Sequence, residues 1–126
     1  MASFPFDGSS RIVVITAGSA SESLVGEQRA ELLKHVPGMD ERDMVVFVVG
    51  PENVIEPVHG GAPAPSDVED FMRRDPASRR GDEGRFAVLL VGKDGGVKFR
   101  SEGLVLARDL FALIDTMPMR RQETKR

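Results

Sequence analysis

The apolar residues of this chain fall mostly into short continuous runs instead of alternating with polar ones. Arg11-Ile12-Val13-Val14-Ile15-Thr16, Met44-Val45-Val46-Phe47-Val48-Val49 and Phe86-Ala87-Val88-Leu89-Leu90-Val91 are rich in β-branched or bulky side chains and bounded by turn residues. Each predicts a strand covered on both faces, because a strand with one wet face would show polar residues at every second position. A fourth run, Val97-Lys98-Phe99-Arg100, does alternate. It predicts an edge strand with Val97 and Phe99 turned inward and Lys98 and Arg100 on a wet face. Between the third and fourth runs lies Gly92-Lys93-Asp94-Gly95-Gly96, whose Asp-Gly step supplies the positive φ angles of a tight hairpin.

Helical spacing fills the remaining stretches. Ser19 and Glu22 have capping-box spacing and predict a helix with Leu24, Val25, Leu32, Leu33 and Val36 on its apolar side, Gln28 and Arg29 in the gap, and Pro37-Gly38 at its end. Asp40-Glu41-Arg42-Asp43 follows as a charged connection. Residues 51–65 contain Pro51, Pro57, Pro63, Pro65 and Gly60-Gly61 and read as irregular, mobile chain. Ser66 and Glu69 form a second capping box for a short helix anchored by Val68, Phe71 and Met72. Residues 73–85 are charge-rich and read as a second mobile loop. A last helix opens near Val105 and buries Leu106, Leu110, Leu113, Ile114 and Met117, with Phe111 flanking, before Pro118 stops it. Residues 1–9 form a loose lead-in and 120–126 a basic tail.

The order is β-α-β, a short helix, then β-β-α. Strand, helix and strand in close succession form a right-handed crossover between parallel strands. The whole predicts a single α/β domain over residues 1–126 with the thioredoxin arrangement: a four-stranded mixed sheet in the order 2-1-3-4, helices on both faces, and the third strand antiparallel to the first.

Composition then narrows the chemistry. A chain of 126 residues has room for one sizeable core. A net charge of −3 gives no electrostatic footprint for nucleic acid, and no run approaches the ~20 apolar residues of a membrane span. The opening residues have neither the basic nor the apolar region of a signal peptide, so the chain as written reads as cytoplasmic, or as periplasmic or secreted if a signal has been removed. The sequence contains 0 cysteines, which excludes disulfides, thiolate metal sites and thiol–disulfide exchange. No cofactor is called for.

Three stretches carry a resemblance: Glu41-Arg42-Asp43 before the second strand, Phe86 to Lys98 with its Gly92-Lys93-Asp94-Gly95 turn, and Ile114-Asp115-Thr116-Met117-Pro118-Met119-Arg120-Arg121-Gln122-Glu123. Together they resemble an uncharacterised family found in bacterial proteins and in the C-terminal part of vertebrate sushi-repeat-containing extracellular matrix proteins. The resemblance implies a thioredoxin-like fold and brings with it no activity and no catalytic residue. The resemblance also implies that an exported location is as open as a cytoplasmic one.

Two regions are candidates for function. In a thioredoxin-type fold the reactive site lies where the first strand meets its helix, here Thr16 to Ser21. Ser19 and Ser21 beside backbone N–H groups can receive an anion at the helix N-terminus, although plain capping explains them more simply. The second candidate follows from chain direction. The first helix ends at the pole where the second strand starts, the third strand runs down to its turn there, and the last helix descends to it. Glu41, Arg42, Asp43, Lys93, Asp94, Asp115, Arg120 and Arg121 are thereby expected to converge on one pole, either as a recognition surface for a protein or a small anionic ligand or as ion pairs tying the elements together. His35 and His59 with scattered carboxylates do not make a metal site by spacing. The leading expectation is a non-catalytic binding module. The alternative is a non-redox enzyme that uses the loop after the first strand, through a serine or a carboxylate, on an anionic substrate, which requires a base in hydrogen-bond reach of Ser19 or Ser21.

Overall fold

The computed structural model describes residues 10–17, 22–49, 55–60, 86–93 and 96–117. Strands β1 (Arg11–Thr16), β2 (Met44–Val49), β3 (Ile55–His59), β4 (Ala87–Val91) and β5 (Val97–Ser101) form one open sheet in the order β3-β2-β1-β4-β5. β1 and β2 are parallel, with Arg11 opposite Met44 and Thr16 opposite Val49. β4 runs antiparallel to β1, β5 antiparallel to β4, and β3 antiparallel to β2. Helices α1 (Glu22–Leu33), α2 (Val36–Glu41) and α3 (Ala107–Asp115) complete the described elements.

The unbroken apolar runs have their reason in two layers. One layer takes Val13, Ile15, Met44, Val46, Val48, Val88 and Leu90 from the sheet and packs them against Leu32, Met39, Leu110 and Ile114 of the helices. The other takes the alternate residues Ile12, Val14, Val45, Phe47, Val49, Leu89 and Val91. Every side chain of β1, β2 and β4 is buried. All described helices lie on the first layer. The helix expected over Ser66 to Met72 falls outside the described residues, as do the lead-in, the loop over 73–85 and the basic tail.

Several local expectations change. The sheet has five strands, because part of the stretch read as irregular, Ile55–His59, pairs with β2. Pro57 hid it: proline is tolerated on an outer strand, and the register shifts beside it, between Val46 and Phe47. Pro37-Gly38 opens α2 instead of ending α1. Proline suits the first helical turn, where its missing N–H has no partner to lose. A turn at Lys34-His35 separates the two helices, and residues Asp40 and Glu41 belong to the second. On β5 a register shift opposite Leu90 and Val91 sends Val97 to the second layer and Phe99 to the first, so the two do not share a face. α3 begins at Ala107, which is buried, whereas Leu106 is exposed, and Leu33 of α1 is exposed as well.

Gln28, expected in the polar gap of α1, is fully buried. Its Nε2 donates to the Val105 carbonyl at 2.8 Å and its Oε1 accepts the Val105 N–H at 2.8 Å. The amide thus replaces a strand partner for the backbone leading into α3. One turn further along α1, Glu31 Oε2 accepts the Ala107 N–H at 2.9 Å. Leu106 at the N-cap makes no side-chain cap bond, so a carboxylate from α1 satisfies the start of α3. Gly60 follows β3 with φ of +86°, and a Cβ there would lie 2.4 Å from Val45 Cγ1. Gly26, by contrast, has open space around it.

Replacing Gln28 with Leu leaves both Val105 backbone groups buried without partners, at ~1–3 kcal/mol each. Urea unfolding of Gln28→Leu is expected to show a loss of about 2–4 kcal/mol. Gly26→Ala is expected to gain up to ~1 kcal/mol from helix propensity. Gly60→Ala is expected to lose about 1–3 kcal/mol through clash and strain, and equal midpoints for the two alanine variants would refute this packing.

Candidate functional site

The charged segments meet at the end of the sheet where β1 and β2 begin. Parallel strands share that end, antiparallel β4 finishes there, and α3 also terminates there. Glu41 is the last residue of α2, Arg42 is its C-cap, and Asp43 leads into β2 with a φ of 54°. Asp tolerates that left-handed conformation better than most residues.

Arg42 is the most connected side chain. Its Nε donates to Asp115 Oδ1 at 3.1 Å and its Nη2 to Asp115 Oδ2 at 2.9 Å, a two-pronged grip on the last residue of α3. Its Nη1 donates to the Gly38 carbonyl at 3.0 Å. The guanidinium lies over the Phe111 ring, 4.3 Å from its centroid. His35 meets the same ring edge-on at 6.2 Å. Gly38 permits this stack, since a Cβ there would sit 2.6 Å from Phe111. Beside it, Lys93 Nζ donates to Asp43 Oδ2 at 2.8 Å, joining the β4–β5 turn to the same segment. Asp40 Oδ1 lies 2.7 Å from His59 Nε2, which ties in the end of β3.

Beneath these pairs lies Arg11, fully buried at the start of β1. Its Nη1 donates to the Arg42 carbonyl at 2.8 Å, and its backbone N–H donates to the Asp43 carbonyl at 2.8 Å. A cation therefore meets a carbonyl at the C-terminal end of α2, where helix carbonyls lack internal partners.

Among the expected residues, Glu41, Arg42, Asp43, Lys93 and Asp115 come together at this pole. Asp94, Arg120, Arg121, Ser19 and Ser21 lie outside the described residues. Sequence reasoning passed over Arg11, Asp40, Gly38 and Phe111 as parts of the pole. An arginine abutting a run of buried strand residues was the available sign for Arg11. His59, read as a loop histidine, is a strand residue held by Asp40.

The burial pattern sorts the charges. The side chain of Arg42 is 14% exposed and that of Lys93 is 9% exposed. The side chains of Asp40 and Glu41 are each 62% exposed, Asp43 49% and Asp115 46%. Cations are inside and carboxylates outside. Among the described residues, no group of three His, Asp or Glu residues is placed to hold a metal ion. No serine or threonine hydroxyl among them is hydrogen-bonded to His59. No described helix is long and apolar enough to cross a membrane.

Arg42→Ala removes the grip on Asp115, the Gly38 bond and the ring contact at once. It is expected to cost about 2–3 kcal/mol. Asp115→Asn is expected to cost under about 1 kcal/mol, because that carboxylate faces water. A double-mutant cycle by urea unfolding checks the pair, and a coupling of zero would show that Arg42 acts through packing alone.

Residues 5–123 match a family described as a domain of unknown function, DUF4174. No curated protein and no solved structure matches the chain.

Proposed function

The chain belongs to the DUF4174 family, whose function is unknown, and from that premise we propose that it is a thioredoxin-like, thiol-free binding module that recognises a cationic partner at its charged pole. Support for the fold reading is the sheet order β2-β1-β4-β5, with β1 parallel to β2 and antiparallel to β4, and with α1 and α3 on one face. β3 adds an outer strand to that core. Dithiol exchange has no place in the reading, since the sequence holds 0 cysteines.

The single observation behind the binding reading is the inside-out arrangement of charge. Arg42 and Lys93 are consumed in the scaffold, and their heads are largely covered. What faces solvent among the described residues is a rim of Asp40, Glu41, Asp43 and Asp115, of which Asp43 and Asp115 are held by those cations and Asp40 by His59. Such a rim suits lysines and arginines of a partner, and the reading adopted is a cationic partner where the sequence suggested a protein or a small anionic ligand. Arg42 and Lys93 then act as positioning residues and the exposed carboxylates as contact residues. The enzyme alternative rests on Ser19 and Ser21, and no described observation favours it.

A hexa-arginine peptide titrated into labelled protein is the test. Saturable amide shifts are expected at residues 40–43, 93 and 115, diminishing as salt rises. The Asp40→Asn, Glu41→Gln double variant is expected to bind about threefold to tenfold more weakly, at up to ~1 kcal/mol per exposed pair. Shifts spread evenly over the surface, or an equal response at the pole to hexaglutamate, would defeat the reading.

A further inference from the structure

The bulge in β3 turns a histidine onto the acidic rim. Ile55 pairs with Val49, Glu56 with Val48 and Pro57 with Phe47, but His59 stands opposite Val46. Val58 is the extra residue. Strict alternation would put His59 on the face of Pro57. The extra residue returns it to the face of Val46, which belongs to the helix-covered layer. From there its Nε2 lies 2.7 Å from Asp40 Oδ1 on α2. The His59 side chain is 18% exposed and that of Asp40 is 62% exposed. Gly60 follows with its backbone close against Val45, so the chain just past His59 is held to β2.

An ionised carboxylate only accepts hydrogen bonds, so Nε2 carries the proton in this pair whatever the charge of the ring. The second proton of the ring goes on and off Nδ1. His59 therefore keeps its hold on Asp40 in both states, and what changes is the charge beside that carboxylate. Histidine is the side chain whose charge ordinarily changes between about pH 5 and 8, where carboxylates in general stay ionised. Among the described residues, the charged group against His59 is Asp40 from α2. β2 offers Val46 opposite it and Val45 against Gly60, and on its own strand Glu56 is already held by Arg29 of α1. The other histidine faces elsewhere. His35 lies 3.7 Å from Glu31, the carboxylate that caps α3, and edge-on to Phe111.

We propose that His59 is a proton-operated gate on the acidic rim, an inference that rests on the cationic-partner reading. With a neutral ring, Asp40 offers its full negative charge to an arginine or lysine of the partner. With a protonated ring, the same carboxylate is half of an internal ion pair, and the positive charge beside it repels the partner's cation. Binding of a cationic partner and protonation of His59 then oppose each other. By linkage the opposition is mutual: acid weakens the partner, and the partner drives the proton off Nδ1. The remaining rim carboxylates keep part of the affinity, so acid attenuates binding without abolishing it.

Hexa-arginine is the probe, because guanidinium groups hold their charge throughout this range. It is titrated by NMR into the full chain at about pH 7.5 and about pH 5.5, at one ionic strength, on either side of the ordinary histidine range. Wild type is expected to bind about threefold to fivefold more weakly in acid, the loss of one exposed charge contact. His59→Gln keeps an N–H donor for Asp40 without a titrating nitrogen, and is expected to bind equally at the two pH values. His35→Gln is expected to retain the wild-type difference. At about pH 6.5, saturating hexa-arginine is expected to move the His59 ring signals of wild type toward their high-pH positions and to leave those of His35 in place. Absence of binding at the higher pH removes the rim reading and the gate with it. Binding there with equal affinity in acid, or a pH difference that survives in His59→Gln or vanishes in His35→Gln, overturns the gate alone. If His59→Gln does not fold, the ring signals of wild type still decide.

Discussion

One turn, Arg42-Asp43, holds the lower end of the sheet together. Asp43 adopts a left-handed backbone there, so the chain can leave α2 and enter β2 at once. The carbonyls of both residues are taken by Arg11 of the neighbouring strand, one through its side chain and one through its backbone. The side chains then reach away from the turn, Arg42 to α3 and Asp43 to the β4–β5 turn, while Asp40 just before them reaches β3. Exposed ion pairs contribute only ~0–1 kcal/mol apiece. The turn matters because the same few residues satisfy buried backbone groups and fix the directions of three other elements.

The two outer strands of the described sheet each carry a feature that guards the edge. β3 carries Pro57 beside a register shift, and β5 carries Lys98 at another. Both features discourage pairing with a further strand. A further strand therefore has little purchase at either described edge. Among the described residues of the pole the exposed side chains are acidic, because Arg42 and Lys93 are covered and serve as the bolts of the assembly.

Legibility followed the range of the determining interaction. The buried strands could be read from β-branched runs, since a strand covered on both faces has no polar alternation to show. The parallel pairing of β1 and β2 followed from a crossover rule that depends only on handedness. β3 was missed because Pro57 and the prolines around the strand are loop signals in isolation, and only the apolar edge of β2 makes Ile55–His59 a strand. Gln28 was assigned to a wet gap because no local pattern reveals that the Val105 backbone lies opposite it. The bulge in β5 is equally invisible: alternation placed Val97 and Phe99 together, and one extra residue in the ladder separates them.

The sequence by itself determined the apolar runs of β1, β2 and β4 and the absence of cysteine, because each depends on residue type and spacing along one segment. It also implied that distant charged segments share a pole, since strand direction dictates where each element ends. Only the tertiary structure decided which of those charges point outward. Exposure is set by what packs over a side chain, and the stack of Gly38, Phe111 and Arg42 joins residues that no local pattern relates.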